Sequence, residues 1–382
     1  MAVPQNNKKH KHIAMIGQKH VPSREGGVEV VVWELATRLK ARGYEVDCYN
    51  RGGYHLSSED FDHYKGKKGN YKEGIRILMI PTVKDGKFNA VVYSFFATIR
   101  AVFGHYDCIH FHAEGPCLMI WLPKLLGIHT VATIHGLDWQ RAKWGGFASS
   151  MIKTGEKFAA KYADEVIVLS GNVRDYFKKT YNRDTLYISN AVSRPQKKKP
   201  SLISEKYGLK GDDYIMTLSR IVPEKGIHYL IEAFKQTDTD KKLVICGGSG
   251  NSMKYLESIE RMAAEDDRII MTGFIEGEIL EELLSNAYLF ALPSDVEGMS
   301  ISLLEAMSYG NCCLVSDIDE NIEVTEDKAP VFAHSDVDDL KDVLSRLIQD
   351  PSLVQQYKDE AADFICEKYN WDRVVDQTAS LY

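Results

Sequence analysis

Along the first half of the chain, short β-branched runs alternate with longer stretches whose apolar positions recur at helical spacing. HIAMIG precedes VEVVVWELATRLKARG; YEVDCYN and GIRILMIP follow, then the helical FNAVVYSFFATIRAVFG, then DCIHFH, HTVATIHG and DEVIVLS. A strand that feeds a helix before the next strand returns parallel to the first, so the alternation predicts parallel sheet. The pattern breaks at residues 193–201, where SRPQKKKPS holds two prolines, three lysines and no apolar residue. A second series then begins with DYIMTLSR, KLVICGG, RIIMTG, YLFALPS and GNCCLVSD. The prediction is an α/β chain of two Rossmann-like doubly wound domains facing a cleft: a first domain over residues 1–192, a linker over 193–212, and a second domain over 213–369.

The length of 382 residues suits two such domains, and 44% hydrophobic with 26% charged residues excludes disordered, collagen-like and coiled-coil classes. The apolar run Ile13–Gly17 is too short for a signal peptide or a membrane span, and residues 8–12, rich in Lys and His, read as a frayed end. The longer apolar segment 88–104 is interrupted by Asn89, Ser94, Thr98 and Arg100, so a packed or interfacial helix is expected there. Seven cysteines without a CxxC pair read as reduced structural thiols of a cytoplasmic protein. Charge is unevenly spread. Residues 1–192 carry 27 Lys and Arg against 18 Asp and Glu, and the remainder carries 20 against 36. A basic first half suits an anionic membrane surface or a phosphorylated acceptor; the acidic second half argues against a nucleic-acid partner.

The most informative stretch is SDVEGMSISLLEAMSYG, which begins at Ser294. Glu297 ends a predicted strand, a turn through Gly298 and Met299 leads to a helix near Ser300, and Glu305 lies on that helix. Unpaired N–H groups and the positive end of the helix dipole suit a diphosphate, and Glu305 can accept hydrogen bonds from the two hydroxyls of a ribose. In LSRIVPEKG, Arg220 closes a strand and Lys225 follows a proline turn, which gives two cations able to neutralise a leaving diphosphate. CGGSGN contributes a glycine loop at Gly248, and SREGGVE sets Gly26 and Gly27 between strand and helix, where missing side chains let a ligand approach the main chain. His135 ends the strand in HTVATIHG, and Trp139, Arg141, Lys143 and Trp144 follow it with a mix of aromatic faces and cations. His110, His112 and Glu114 share a strand exit in a spacing that imitates a metal site, but no metal signature accompanies them.

The Glu297–Glu305 spacing inside EGMSISLLEAMSYG resembles the donor signature of the group 1 (family 4) retaining glycosyltransferases of GT-B fold, and the two-series layout fits that family along essentially the whole chain. The resemblance implies that Glu297 contacts the transferred sugar and Glu305 the ribose. By the same resemblance, Arg220 and Lys225 stabilise the departing nucleotide, and His135 hydrogen-bonds the donor sugar. Phe274 and Ile275, in MTGFI, fall where the family reads the base, and Asn190, in YISNAV, falls at the domain junction. Residues 370–382 resemble a terminal helix that crosses back to the first domain. The commoner family form has Phe-Gly at Met299 and Ser300, and Asp directly after the histidine where this chain has Gly136. The expected partners are a nucleotide-sugar co-substrate, UDP-linked by preference, and a glycan or lipid-diphosphate-linked acceptor in cell-surface polysaccharide synthesis. No further cofactor or metal is expected, and the protein is placed in the cytoplasm, peripherally at the inner membrane face. Two rivals share the fold: a non-catalytic sugar-nucleotide-binding subunit and a sugar-nucleotide epimerase.

Overall fold

The computed structural model describes residues 11–53, 61–64, 69–83, 89–140, 146–249 and 252–382. They divide into two compact units: one contains described residues within 11–139, 146–188 and 375–382, the other residue 140 and residues within 189–374.

The first unit is built on an eight-stranded sheet: β1 (His12–Ile16), β2 (Glu45–Arg51), β3 (Asn70–Lys72), β4 (Ile75–Ile80), β5 (Cys108–His112), β6 (His129–Ile134), β7 (Glu165–Val168) and β8 (Leu186–Tyr187), in the order β3-β4-β2-β1-β5-β6-β7-β8. Every pairing is parallel except β3 with β4. β1, with every residue after His12 buried, and β5, buried throughout, show the near-continuous apolar character of strands covered on both faces. The helix Gly27–Ala41 lays Val31, Val32, Leu35, Ala36 and Leu39 inward, the stripe its periodicity predicts. The apolar segment near residue 88 forms the helix Asn89–Val102, which buries Tyr93, Ala97 and Ala101 in the core of this unit.

The second unit has six parallel strands: β9 (Tyr214–Leu218), β10 (Lys242–Cys246), β11 (Ile269–Gly273), β12 (Leu289–Leu292), β13 (Cys313–Ser316) and β14 (Val331–Phe332), in the order β11-β10-β9-β12-β13-β14. Numbered within the unit this is 3-2-1-4-5-6, the doubly wound order whose direction reverses between its first and fourth strands. The lysine-rich stretch after residue 193 lies along this unit: Lys198 N–H donates to Ser285 Oγ at 2.9 Å and Ser201 N–H to Glu282 at 2.8 Å.

Both sheets reverse direction at a glycine. Gly17 leaves β1 with φ +137°, and a Cβ built there would sit 2.1 Å from the His112 carbonyl oxygen at the end of β5. Gly226 has φ +61°, and its Cβ would sit 1.9 Å from the Pro293 carbonyl oxygen beyond β12. Neither position has room for a side chain, and neither φ suits one. The closing segment forms two helices, Pro351–Lys368 and Trp371–Ala379, and Tyr382 is buried in the first unit, where its hydroxyl meets His110 Nδ1 at 2.7 Å. Cys48, Cys108, Cys117, Cys246, Cys312 and Cys313 are buried free thiols, and Cys366 is partly exposed.

Two stability experiments follow from this packing. Gly17→Ala and Gly226→Ala should each destabilise their own unit by roughly 2–4 kcal/mol in urea titrations, from backbone strain plus the clash with a carbonyl that cannot retreat. Burial holds the His110 imidazole down to about 3, whereas the same ring in the unfolded chain titrates near its ordinary value of 6.5. The unfolded state therefore binds the additional proton as pH falls below 6.5, and native stability drops through that window. Replacing His110 by Gln should flatten the pH dependence of unfolding between pH 6 and 4 by about 1.4 kcal/mol per pH unit.

Candidate active site

In the second unit the expected site residues gather where the sheet reverses. The chain leaving β9 is stapled to the neighbouring strand exits by main-chain hydrogen bonds: Ser219 N–H to Cys246 O at 3.1 Å and Ile221 N–H to Gly248 O at 2.8 Å, with Gly247 N–H to Gly273 O at 2.9 Å beyond it. On the other side Asp295 N–H reaches Glu224 O at 3.0 Å, which ties the β9 exit to the β12 exit. Lys225 at the end of the first loop thereby meets Glu297 at the end of the second. Lys225 Nζ pairs directly with Glu297 Oε1, and the two side chains are only 14% and 6% exposed. Ser294 Oγ donates to the same carboxylate oxygen at 2.7 Å. A charge pair so far removed from water persists because each partner compensates the other and hydrogen bonds satisfy what remains.

Below the pair lies a chain of polar groups. Ser316 Oγ at the end of β13 donates to the Ser294 carbonyl at 2.5 Å, and Asn321 Nδ2 donates to Ser316 Oγ at 3.0 Å. All three residues are buried. Nothing about Ser294 as a letter in the sequence marks it out; its place three residues before Glu297 at a strand exit is the signal that could have found it.

Past Gly298 the main chain is fixed by Asn190, whose Nδ2 donates to Met299 O at 3.1 Å and whose N–H faces Met299 Sδ at 3.2 Å. Asn190 thus braces the turn within this unit. Ser300 caps the helix Ile301–Ser308, its hydroxyl accepting from Leu303 N–H, so the helix begins where the repeat of apolar residues predicts. Glu305 lies one turn into that helix and is half-buried. Gly248 stands beside Phe274: a Cβ at Gly248 would lie 3.8 Å from the Phe274 Cβ. The Phe274 ring is 48% exposed, while Ile275 turns inward. Arg220 stands at the exit of β9, half-buried, five residues before Lys225.

The first unit holds the other expected residues. Gly26 is the N-cap and Gly27 the first residue of the helix Gly27–Ala41. Glu29 folds back from its first turn, accepting from Lys19 N–H at 2.8 Å. His135 follows β6 and is buried, with Nε2 3.1 Å from His112 Nδ1. His112 in turn stacks on His110, ring centroids 4.2 Å apart. Both rings are held neutral, largely by burial, which pushes their pKa values down. Glu114 accepts from Asp138 N–H at 2.9 Å, and burial raises its carboxyl well above the usual range. Trp139 Nε1 donates at 3.0 Å to Glu156, a buried carboxylate that also accepts from the hydroxyls of Tyr176 and Tyr181. The composition of this loop did not single out Glu156, which lies 17 positions along the chain from Trp139. Arg141, Lys143 and Trp144 lie outside the described residues. Among the described residues no group of three or more His, Cys, Asp or Glu side chains is arranged to hold a metal ion, and no helix is long and apolar enough to cross a membrane.

Comparison with known proteins bears on this geometry over most of the chain. Residues 25–194 match Glycosyltransferase Family 4, and residues 201–364 match Glycosyl transferases group 1. The alpha-maltose-1-phosphate synthase of Mycolicibacterium smegmatis is 25% identical, with 97% of this chain and 98% of the relative aligned. The UDP-Gal:alpha-D-GlcNAc-diphosphoundecaprenol alpha-1,3-galactosyltransferase of Escherichia coli is 26% identical over 81% of this chain and 84% of its own. Among solved structures, HepE of Anabaena in complex with UDP and glucose superposes with a TM-score of 0.79 at 16% identity, covering 97% of this chain and 99% of the other. With two Rossmann-like units and both halves matched, the chain belongs to the group 1 (family 4) glycosyltransferases of GT-B fold.

Proposed function

We propose that the protein is a retaining hexosyltransferase that moves a sugar from a nucleotide-diphosphate donor, UDP-linked by preference, onto a hydroxyl of a glycan or lipid-diphosphate-linked acceptor. The observation that carries this reading is the buried Lys225–Glu297 pair at the point where the second sheet reverses, beside the capped start of the helix Ile301–Ser308. Open α/β sheets bind their ligands outside the strand ends at such a reversal. In this reading Lys225, Arg220 and the helix N–H groups take the diphosphate, Glu305 takes the ribose hydroxyls, and Phe274 and Ile275 flank the base beside Gly248. Glu297 meets the transferred sugar, with Met299 and Ser300 at the rim of its pocket, and the family resemblance gives His135 a hydrogen bond to the donor sugar. Gly26 and Gly27 lie on the acceptor side.

Chemically, the pair has two jobs. Lys225 opposes the charge that grows on the diphosphate as the glycosidic bond lengthens, and a cation fixed in place before the reaction does so without reorganising. Glu297, held by Ser294, orients the sugar and opposes the positive charge that develops on its ring. The acceptor hydroxyl attacks the face from which the diphosphate departs and passes its proton to that leaving group, so configuration is retained. The choice of UDP draws support from HepE, whose structure holds UDP and glucose, and that of a lipid-linked acceptor from the galactosyltransferase, whose name specifies one.

An anionic membrane surface is the proposed setting. Phe95, Phe96 and Phe103 are exposed on and just after the helix Asn89–Val102, together with Leu125 and Leu126 beside Lys124. Apolar side chains with neighbouring cations, on the more basic half of the chain, are what an interfacial contact needs.

Calorimetric titration with UDP, GDP, ADP and dTDP in metal-free buffer tests the donor site. UDP should bind, and Glu305→Ala should weaken it on the order of 10- to 100-fold through lost hydrogen bonds to a charged group. Glu297→Ala should keep UDP affinity within a few-fold while transfer falls below detection; full turnover in that variant would remove Glu297 from the chemistry. If no nucleotide binds, the non-catalytic subunit becomes the better reading, and release of a free epimerised sugar nucleotide without acceptor would favour the epimerase. For the membrane contact, flotation with phosphatidylglycerol vesicles at low salt should retain the protein and lose most of it on Phe95→Ser with Phe96→Ser. Equal flotation on neutral vesicles would contradict the electrostatic part.

A further inference from the structure

Where β1, β2 and β4 begin, the first sheet has a cavity of about 160 Å3 whose polar lining is His12, Glu45, Asp47, Tyr71 and Arg76. It lies at the opposite edge of the sheet from the strand exits. The five residues of β1 put the two edges roughly 16 Å apart. The space is ample for several waters or for one sugar ring, and too small for a nucleotide. Register builds the lining: β3 sets Tyr71 opposite Arg76, β4 sets Arg76 opposite Asp47, and β1 sets His12 opposite Glu45. Residues paired in this way project from the same face of a sheet.

Asp47 is buried, and its side-chain contacts all fall on one oxygen. Oδ2 accepts from Tyr106 Oη at 2.6 Å and lies 3.3 Å from His12 Nε2 and 3.8 Å from Arg76 Nη1, whereas Oδ1 has no hydrogen bond among the described residues. Arg76 is the counterpart. At 3.8 Å its guanidinium is a charged neighbour of Asp47 outside hydrogen-bond range, and its Nε is buried with no partner among the described residues. Opposite charges on neighbouring strands commonly pair directly; here a carboxylate oxygen and a guanidinium N–H are both left over beside a cavity.

The charges around the cavity select the class of ligand. An anion would meet Asp47 and Glu45, and a cation would meet Arg76 and Lys40, which pairs with Glu45 at 3.0 Å. A hydroxyl group suits both sides, because it donates to a carboxylate and accepts from a guanidinium. Neighbouring hydroxyls on a ring with an apolar face also match Tyr71, whose own ring is steadied by Tyr64 in an edge contact, centroids 5.7 Å apart. We infer that this cavity is a non-catalytic binding site for one neutral sugar ring, in which Asp47 and Arg76 hold adjacent hydroxyls and Tyr71 packs on the apolar face. A sugar unit of a glycan held there stays clear of the donor motifs, which lie at strand exits or in the other unit. The inference is independent of the roles given to Glu297 and Lys225.

The test is a titration of the uniformly labelled full chain, followed by 1H–15N correlation spectra, with the methyl glycosides of glucose, galactose, mannose and N-acetylglucosamine at millimolar concentrations. At least one glycoside should shift the Arg76 Nε–H signal, assigned through Arg76→Lys, together with the backbone amides of Asp47 and Tyr71. Saturating UDP should not displace it. Arg76→Lys keeps the charge and loses the planar fork, and should weaken the sugar about tenfold, the worth of one hydrogen bond to a charged group. Tyr71→Ala should weaken it several-fold, and both variants should bind UDP within twofold of wild type. No shift with any of the four glycosides leaves the cavity to water and overturns the inference. So do shifts caused by inorganic phosphate and by none of the sugars, displacement of the sugar by UDP, or unchanged sugar affinity in folded Arg76→Lys and Tyr71→Ala.

Discussion

The architecture of the second unit depends on one close approach: a strand exit with no side chain lying against the carbonyl of the strand across the reversal. Gly226 packs on Pro293 O, which is what lets the β9 and β12 loops run side by side and brings Lys225 within reach of Glu297. A sheet that reverses direction leaves a gap at its strand ends, because the two flanking helices lead away on opposite faces. Filling part of that gap with main chain narrows it to the width of an ion pair. The first unit repeats the device with Gly17 and His112, and two groups whose protonation burial shifts, His112 and Glu114, lie at that strand exit.

The polar groups beneath Glu297 show how a buried carboxylate can be held at a strand exit. Ser294 donates its hydroxyl to Glu297 and accepts from Ser316 at its carbonyl, and Ser316 Oγ accepts in turn from Asn321 Nδ2, so the Ser316 hydroxyl both donates and accepts. A buried network of this kind is worth having only when every member is satisfied, since the low dielectric that strengthens the bonds also penalises an idle one. Lys225 and Ser294 both meet the same oxygen of Glu297.

Much of this was legible in the chain. The strand and helix periods specify two parallel sheets, and Glu297, Lys225 and Ser300 fall at strand exits and a helix cap because strand ends and caps have local signatures. The pairing of Lys225 with Glu297 was not legible: 72 positions separate them, and only the strand order brings β9 beside β12. For the same reason His112 was read with its neighbours on the strand and not with His135, since register is a property of two strands at once.

The distribution of thiols has a practical corollary. Cys48 and Cys108 lie inside strands of the first sheet, and Cys246 and Cys313 inside strands of the second, all inaccessible in the folded state. Burial also pushes these thiols up, away from the reactive thiolate form. An alkylating reagent would therefore modify Cys366 from the outset and the others only as their own sheet opens. Mass spectrometry of partly labelled chains would then time the opening of the two lobes separately, with each lobe carrying its own internal clock.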